Sequence, residues 1–258
     1  MKPSVSSQKI VIIGAGNLAT QLGSTLYQAG YSILQVYSPT KKSAATLAKK
    51  INATAINDLK KLDPSASLYI ISIKDDAIAA FAKELKLTDQ VVVHTSGTVD
   101  AAILKNSSEN YGVFYPLQTF SKSKPVDFSN IPVCIESVNK ATAKVLQRMA
   151  KSISNNVQEI SGEQRKILHL SAVFACNFSN HMYTIAASIL SHHRLSFDLL
   201  KPLIAETAEK IKLNDPAKMQ TGPAIRKDVK TMQAHLKLLG RDNELKTIYK
   251  LVSEHIAK

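Results

Sequence analysis

Short apolar runs alternate with stretches of helical spacing over the first 160 residues of the chain. The runs at residues 10–13 and 68–73 are almost continuously apolar, which is typical of strands covered on both faces of a sheet. The pattern predicts strands over residues 9–13, 32–37, 53–56, 68–73, 90–94, 112–115, 132–135 and 157–160, and helices over residues 17–29, 41–50, 76–85 and 140–153. This alternation predicts an α/β fold with a doubly wound parallel sheet.

After residue 160 the pattern becomes helical throughout. Ser161 and Gln164 have the spacing of a capping box, which predicts a helix start. Apolar spacing predicts helices over residues 163–190 and 197–211, a third that carries Ile225, Val229, Met232, Leu236 and Leu239, and a fourth that begins after Asp242 and ends near residue 256. The sequence therefore predicts two domains, an α/β domain over residues 1–160 and an all-α domain over residues 161–258.

The formal net charge of +13 raises the question of a nucleic-acid partner. The excess of basic residues is spread evenly, with +7 over residues 1–160 and +6 over residues 161–258, and no basic run exceeds a lysine pair. A nucleic-acid footprint would instead concentrate its charge in one patch. We therefore expect a solvated basic surface and no nucleic-acid partner.

Several other classes of site are not predicted. Cys134 and Cys176 stand apart in apolar surroundings, which is typical of buried free thiols. The chain has no clustered Cys and His ligands for a metal and no Gly-x-Ser-x-Gly motif for a serine nucleophile. No apolar run approaches the length of a membrane span, so we expect a soluble, cytoplasmic protein with a loose tail over residues 2–9.

A glycine-rich turn joins the first predicted strand to the first predicted helix. Its residues are Gly14, Ala15, Gly16, Asn17 and Leu18, and Ala19 completes a Gly-x-Gly-x-x-Ala pattern. The first glycine allows the tight turn, the second lets a pyrophosphate approach the backbone, and the alanine lets helix and strand pack closely. The free N–H groups at the helix start then face an anion. The pattern predicts a Rossmann-type dinucleotide site.

The end of the second strand favours NADP(H) over NAD(H). Enzymes that use NAD place an Asp or Glu there to bind the ribose 2′-hydroxyl, but this chain has no acidic residue before Asp58. It has Ser38, Thr40 and Lys41 instead, with Lys42 as an alternate, and such groups suit a 2′-phosphate. The other reading is that Thr40 only caps the next helix and the lysines are solvated, which does not explain the missing carboxylate.

The turn and six later segments resemble a family of Rossmann-like NADP oxidoreductases that carry a helical C-terminal domain of unknown function. The segments are SIKDD at 72–76, HTSG at 94–97, YPLQTF at 115–120, NFSNH at 177–181, KPLI at 201–204 and TGPAIRKD at 221–228. The architecture is similar to that of pyrroline-5-carboxylate reductase and the 6-phosphogluconate dehydrogenase group. The resemblance implies a nicotinamide-dependent reductase whose helical domain completes the substrate pocket and forms a homodimer contact.

The chain departs from the hydroxyacid dehydrogenases of this wider group in one position. Those enzymes carry a catalytic Lys four residues before an Asn, and the residue four before Asn177 is Val173. If Asn177 is the equivalent asparagine, their usual proton donor is absent, which counts against hydroxyacid oxidation by that mechanism.

Polar residues at predicted strand ends are candidates for the site, because ligands bind beyond the carboxyl ends of strands in open α/β sheets. Ser72 and Ser96 are candidates to bind the cofactor. His94 is a candidate for proton transfer near the nicotinamide, or else a buried histidine with satisfied hydrogen bonds. Asp75 and Asp76 either line the cleft or cap the next helix.

The predicted long helix carries the other catalytic candidates, and its two histidines, His181 and His169, are the candidate proton donors. Asn177 and His181 lie four residues apart on one face, and His169 lies two turns upstream. Such polar groups face the cofactor cleft or form hydrogen bonds between helices, since burial without a partner is costly. Arg226 and Asp228 are predicted in the first turn of the third C-terminal helix, where Arg226 could bind a substrate carboxylate or pair with an acidic residue across a dimer interface.

The sequence thus predicts an NADPH-dependent oxidoreductase that acts on a small carbonyl or imine compound. We expect a homodimer formed through the C-terminal helical domain. The alternative is a non-catalytic NADP-binding sensor or regulatory protein, which the missing lysine and the lack of a decisive acid favour.

Overall fold

The structure, a computed structural model, describes residues 8–258, so most of the tail predicted at residues 2–9 lies outside the described residues. The first part of the chain alternates strands and helices. Its elements are β1 Lys9–Ile13, α1 Asn17–Gln28, β2 Ser32–Tyr37, α2 Lys41–Lys50, β3 Thr54–Ile56, β4 Leu68–Ile71, α3 Asp75–Glu84, β5 Val91–His94, β6 Tyr111–Pro116, β7 Val133–Ser137, α4 Lys140–Ile153 and β8 Val157–Glu159.

The later part is helical. It consists of α5 Gly162–Ala172, a π-helical turn Val173–Phe178, α6 Ser179–His192, α7 Lys201–Leu213, α8 Val229–Leu238 and α9 Asn243–Ile256. The predicted capping box opens α5, where the Ser161 hydroxyl accepts the N–H of Gln164 at 3.2 Å and the Gln164 side chain accepts the N–H of Ser161 at 2.9 Å.

One sheet holds the eight strands in the order β3-β2-β1-β4-β5-β6-β7-β8. All neighbours pair in parallel except β6 and β7, which are antiparallel. The central strands are buried on both faces, because apolar side chains of β1 and β4 point alternately into two separate core clusters. The predicted α/β fold with a Rossmann-type sheet is therefore confirmed.

Two compact units make up the chain, one ending at Ser179 and the other covering Asn180–Lys258. The strands end at Glu159, where the sequence pattern changes, but α5 stays with the sheet because Arg165 is buried against it. The predicted domain boundary between residues 160 and 161 stays a prediction. Within residues 8–258, every helix is too short or too polar to cross a lipid bilayer.

Two local predictions in the helical part were wrong. Ile225 and Arg226 lie in a turn before α8, because Gly222 and Lys227 have positive φ angles of 108° and 55°, which interrupt a helix. Asp228 is the N-cap of α8, and its carboxylate accepts the N–H of Thr231 at 3.0 Å.

Of the two cysteines, Cys134 is buried as predicted and Cys176 is exposed. The burial of Cys176 was predicted from its apolar neighbours in the sequence. Those neighbours, Phe174 and Phe178, are themselves exposed on the π-helical turn and so provide no core around the thiol.

Candidate active site

A cleft of about 860 Å³ opens at the carboxyl ends of the central strands, and its lining residues all belong to the first compact unit. The turn after β1 and the ends of β2, β4, β5 and β6 contribute to it, as does one residue of α5. This position follows from the topology, because parallel strands bring their carboxyl ends, and the loops after them, to one edge of the sheet. The cleft is therefore the candidate site.

The turn after β1 depends on two glycines for different reasons. Gly14 has a φ of 117°, and a Cβ there would lie 2.7 Å from the carbonyl carbon of Ser72 and would overlap its oxygen. Gly14 also donates its N–H to the carbonyl of Tyr37 at 2.8 Å. A Cβ on Gly16 would meet no atom within 4 Å, so this position borders open space. Gly14 thus shapes the turn, and Gly16 leaves room for a ligand.

The start of α1 suits an anion. The N-cap is Gly16, which has no side chain to cap the helix, and the first turn contains no acidic residue. The first N–H groups of a helix lack partners within the helix and carry its positive dipole end. Asn17 and Leu18 of this turn line the cleft. The open space at Gly16 and this helix start together fit the pyrophosphate of a dinucleotide.

Hydroxyl groups surround the end of β2. Ser38 is buried in the cleft wall, and its hydroxyl accepts the N–H of Thr40 at 3.3 Å. Thr40 is the N-cap of α2 but makes no side-chain capping bond, and the first turn of α2 has no acidic residue. Lys41 is exposed beside the cleft, and Ser43, which the sequence analysis did not name, lines it. Residues 38–43 contribute no carboxylate, which agrees with the choice of NADP, although Glu84 of α3 lines the same cleft.

The loop after β5 is fixed by hydrogen bonds from several sides. The hydroxyl of Ser96 donates to Asp75 Oδ2 at 2.7 Å and accepts the N–H groups of Thr98 and Val99, each at 3.0 Å. Thr98 donates its own hydroxyl to the same Asp75 oxygen at 2.7 Å. Asp75 therefore holds the loop across the cleft, whereas the N-cap of α3 is Lys74.

Arg165 anchors the other side of this loop. Its guanidinium is fully buried and donates to the carbonyl oxygens of Ser96 at 2.9 Å and Val99 at 2.8 Å. It also donates through Nε and Nη2 to Glu136 Oε2 on β7, at 3.2 and 3.0 Å. Neither residue was a sequence candidate. An ion pair between positions 29 residues apart leaves no local spacing signal.

His169 stands one helical turn after Arg165 and reaches the cleft. Its Nδ1 lies 3.0 Å from the hydroxyl of Tyr115, which is buried at the end of β6. The ring packs over Gly97, where a Cβ would lie 2.7 Å from His169 Cγ. The imidazole of His169 thus lies between a phenol and a glycine in the wall of the cleft.

His94, a sequence candidate for proton transfer, is placed elsewhere. It is fully buried and is not among the residues that line the cleft. Its Nδ1 accepts the N–H of Ser96 at 3.2 Å, and its Nε2 lies 3.4 Å from the carbonyl oxygen of Asp100. Burial, together with the charge of Arg165, lowers the pKa of His94 to about 4. The geometry supports the alternative of a neutral, hydrogen-bonded core histidine.

Two sequence candidates lie outside the group of cleft-lining residues in the first unit. Asn177 is exposed on the π-helical turn at the end of that unit. His181 is exposed on α6 and belongs to the second unit. Of the four catalytic candidates, the first unit places only His169 in the cleft.

Two family models match the chain. The model described as NADP oxidoreductase coenzyme F420-dependent matches residues 9–97, and the model of a domain of unknown function, DUF2520, matches residues 131–256. A comparison with curated proteins gave no match.

Among solved structures, a Bacteroides fragilis protein described as a candidate NADP oxidoreductase is 45% identical, with coverage of 97% of this chain and 98% of that chain and a TM-score of 0.92. The chain belongs to this family of NADP oxidoreductases. The resemblance inferred from the motifs and the choice of NADP as cofactor are thereby confirmed.

More distant structures share the fold of this NADP oxidoreductase. An imine reductase from Myxococcus stipitatus in complex with NADP+ is 14% identical, with coverage of 96% of this chain and 91% of that chain and a TM-score of 0.66. A pyrroline-5-carboxylate reductase from Coxiella burnetii is 13% identical, with coverage of 98% and 100% and a TM-score of 0.58. The predicted likeness in architecture to the latter enzyme is confirmed.

The structure of the NADP oxidoreductase brings most of the predicted cofactor residues to one cleft. The cleft is lined by the turn from Gly14 to Leu18 and by three serines, Ser38, Ser72 and Ser96. Thr40 and Lys41 are exposed next to Ser38 in the sequence. Among the described residues, no three His, Cys, Asp or Glu side chains group to hold a metal ion.

Proposed function

We propose that this NADP oxidoreductase reduces a C=N or C=O bond of a small molecule, with His169 as the proton donor. The observation that carries the proposal is the cleft itself, which is lined by both the dinucleotide turn and the His169–Tyr115 pair. NADPH supplies the hydride when it is bound. The nitrogen or oxygen of the reduced bond must also gain one proton. An imine gains it before the hydride arrives and a carbonyl gains it with or after the hydride, and a positioned imidazole can supply it in both cases.

The cofactor would be held by groups at both ends of the adenosine diphosphate part. The N–H groups at the start of α1 suit the pyrophosphate. Ser38, Ser43, Thr40 and Lys41 suit a 2′-phosphate, since residues 38–43 offer three hydroxyls and an ammonium group and contain no carboxylate.

Lys41→Glu is expected to weaken NADPH binding about tenfold and to leave NADH binding nearly unchanged, because only NADPH carries the 2′-phosphate. Calorimetric titration with both cofactors measures this. Lys49→Glu is the matched control, since it makes the same charge change in the last turn of α2. An equal loss for both cofactors, or tighter NADH binding by the unmodified chain, would contradict the assignment.

The charge of Asp75 favours an imine over a carbonyl substrate. Its carboxylate lines the cleft, accepts two hydroxyl donors, and forms no ion pair with a lysine or arginine of residues 8–258. A protonated imine carries a positive charge that this carboxylate stabilises. Carbonyl reduction develops negative charge on oxygen, which the same carboxylate opposes.

Asp75→Asn is expected to lower kcat/KM for 1-pyrroline about tenfold and to leave that for cyclopentanone unchanged or raised. An amide oxygen can still accept both hydroxyl donors, so the loop after β5 keeps its hydrogen bonds. Asp76→Asn is the control, because Asp76 lies in the same helical turn but does not line the cleft. Equal losses of kcat/KM on both substrates would reject the preference for an imine. NADPH binding without turnover of any imine or ketone would favour the alternative of a non-catalytic NADP-binding sensor.

The predicted homodimer and the cytoplasmic location stay predictions. Large apolar side chains are exposed on helices of the second unit, for example Leu203 on α7 and Leu251 on α9, and a second copy would cover such surface. Light scattering that gives the mass of one chain would contradict the dimer.

A further inference from the structure

We propose that Arg165 is a positioning residue for the reaction, which places His169 and the loop after β5 in one fixed arrangement through its ion pair with Glu136. This inference rests on the proposed role of His169.

The guanidinium connects three parts of the first unit. It lies on α5 and bonds β7 through Glu136 and the loop after β5 through the carbonyl oxygens of Ser96 and Val99. Each of the four bonds is 3.2 Å or shorter, and the Arg165 side chain is 1% exposed. A fully buried cation is costly unless its donors are satisfied, and these bonds satisfy it. The contact therefore admits little displacement of any of the three elements.

Glu136 lies close to the start of α5 as well as to the arginine. A Cβ on Gly162, the first residue of α5, would lie only 3.1 Å from Glu136 Oε1. Glycine thus lets the carboxylate approach the positive end of the helix, which stabilises the negative charge. The same carboxylate thus lies close to the start of α5 and binds the side chain of Arg165 one turn later.

This anchor determines where His169 lies. Arg165 and His169 are four residues apart on α5 and so share one face of the helix. Arg165 bonds the carbonyls on either side of Gly97, which is the residue beneath the His169 ring. One guanidinium therefore fixes both the helix that carries the imidazole and the backbone against which the ring packs.

Tyr115, whose hydroxyl lies 3.0 Å from His169 Nδ1, is fixed through the sheet. Tyr115 lies on β6, which pairs with the β7 strand that carries Glu136, and Val113, two residues before Tyr115, is directly opposite Glu136. Side chains two residues apart on a strand share a face, so Tyr115 and Glu136 point to the same side of the sheet. Burial raises the pKa of Tyr115, and the charge of Arg165 acts in the opposite direction.

The test uses two variants, Arg165→Lys and Glu136→Gln. The control variant is Glu159→Gln, because the carboxylate of Glu159 is exposed and accepts a hydrogen bond from Gln147 at 2.9 Å. Lysine keeps the charge but loses the planar fork of donors that reaches three acceptors. We expect Arg165→Lys to lower kcat for 1-pyrroline about 10- to 100-fold, as a misplaced catalytic group does, with KM and NADPH affinity within about twofold. Glu159→Gln should behave as the unmodified chain.

A second readout does not require turnover. In the NADPH complex of Glu136→Gln, the guanidinium charge loses its counter-charge, so the pKa of Tyr115 should fall when followed by NMR of ring-labelled tyrosine. The inference is overturned if Tyr115 titrates as before, if kcat stays unchanged in both variants, or if Arg165→Lys loses NADPH affinity and melting temperature together with activity. If the unmodified chain reduces no substrate, the proposed function fails and the reaction role of Arg165 fails with it, while the tyrosine titration still shows whether the Arg165–Glu136 pair acts on Tyr115.

Discussion

Gly14→Ala is expected to abolish NADPH binding, with an affinity loss of at least about 100-fold, and to lower the melting temperature. The φ of 117° is strained for any residue with a side chain, and the added Cβ would overlap the carbonyl oxygen of Ser72. Backbone strain of this kind costs about 1–3 kcal/mol. The overlap with a neighbouring strand end adds to that cost, because the backbone of β4 cannot move aside without breaking sheet pairing. The turn must therefore shift away from its cofactor-binding shape.

Gly16→Ala is the matched control, because it makes the same chemical change two residues later. No atom lies within 4 Å of its added Cβ, so the ligand-free chain should keep its stability to within about 0.5 kcal/mol. The methyl group would occupy space that the pyrophosphate needs, so NADPH affinity should still fall about 10- to 100-fold. Melting curves with and without NADPH, together with calorimetric titration, separate the two effects.

Two outcomes would contradict the roles assigned to Gly14 and Gly16. If Gly14→Ala binds NADPH as the unmodified chain does, the turn does not need its positive φ. If Gly16→Ala is unstable without ligand, the added methyl group must clash with the protein itself, and the space at Gly16 is then not open to a ligand. Either result would remove the physical basis for the site at the start of α1.

The sequence predicted the fold well because its signals are local. The apolar run at 10–13, the Gly14–Gly16 turn and the helical spacing of 17–29 each fit within a short window, and together they define the β1–α1 unit. The capping box at Ser161 and Gln164 is equally local and correctly marks Ser161 as the N-cap of α5. The cofactor end of the cleft followed from these same segments.

The reaction end of the cleft could not be predicted in the same way. The contacts of Arg165 join positions separated by 29 to 69 residues, and in the sequence it resembles any solvated charge. Tyr115 gains its role only when β6 meets α5, so its contact with His169 has no local signal. His94 shows a related difficulty, because residues at a strand end point alternately to two faces and its position did not tell which.

His169→Ala is expected to lower kcat about 100- to 10,000-fold, the range for loss of a positioned proton donor, while NADPH affinity stays within about twofold. The other helix candidate, His181→Ala, provides the comparison: the larger loss of kcat identifies the donor. Steady-state kinetics with 1-pyrroline and calorimetric titration with NADPH measure the two quantities. A kcat near that of the unmodified chain would remove His169 as the donor.

Tyr115→Phe tests how His169 is held. It removes the hydroxyl at 3.0 Å from His169 Nδ1 and keeps the buried ring, so the imidazole loses its fixed orientation but stays in the cleft. We expect kcat to fall about tenfold, less than for loss of the imidazole itself. Because the hydroxyl acts through His169, the double variant should be no slower than His169→Ala alone, which is the non-additivity expected of residues in contact. Additive losses would instead mean that the phenol reaches the substrate independently, and Tyr115 would then be a second proton donor in the cleft.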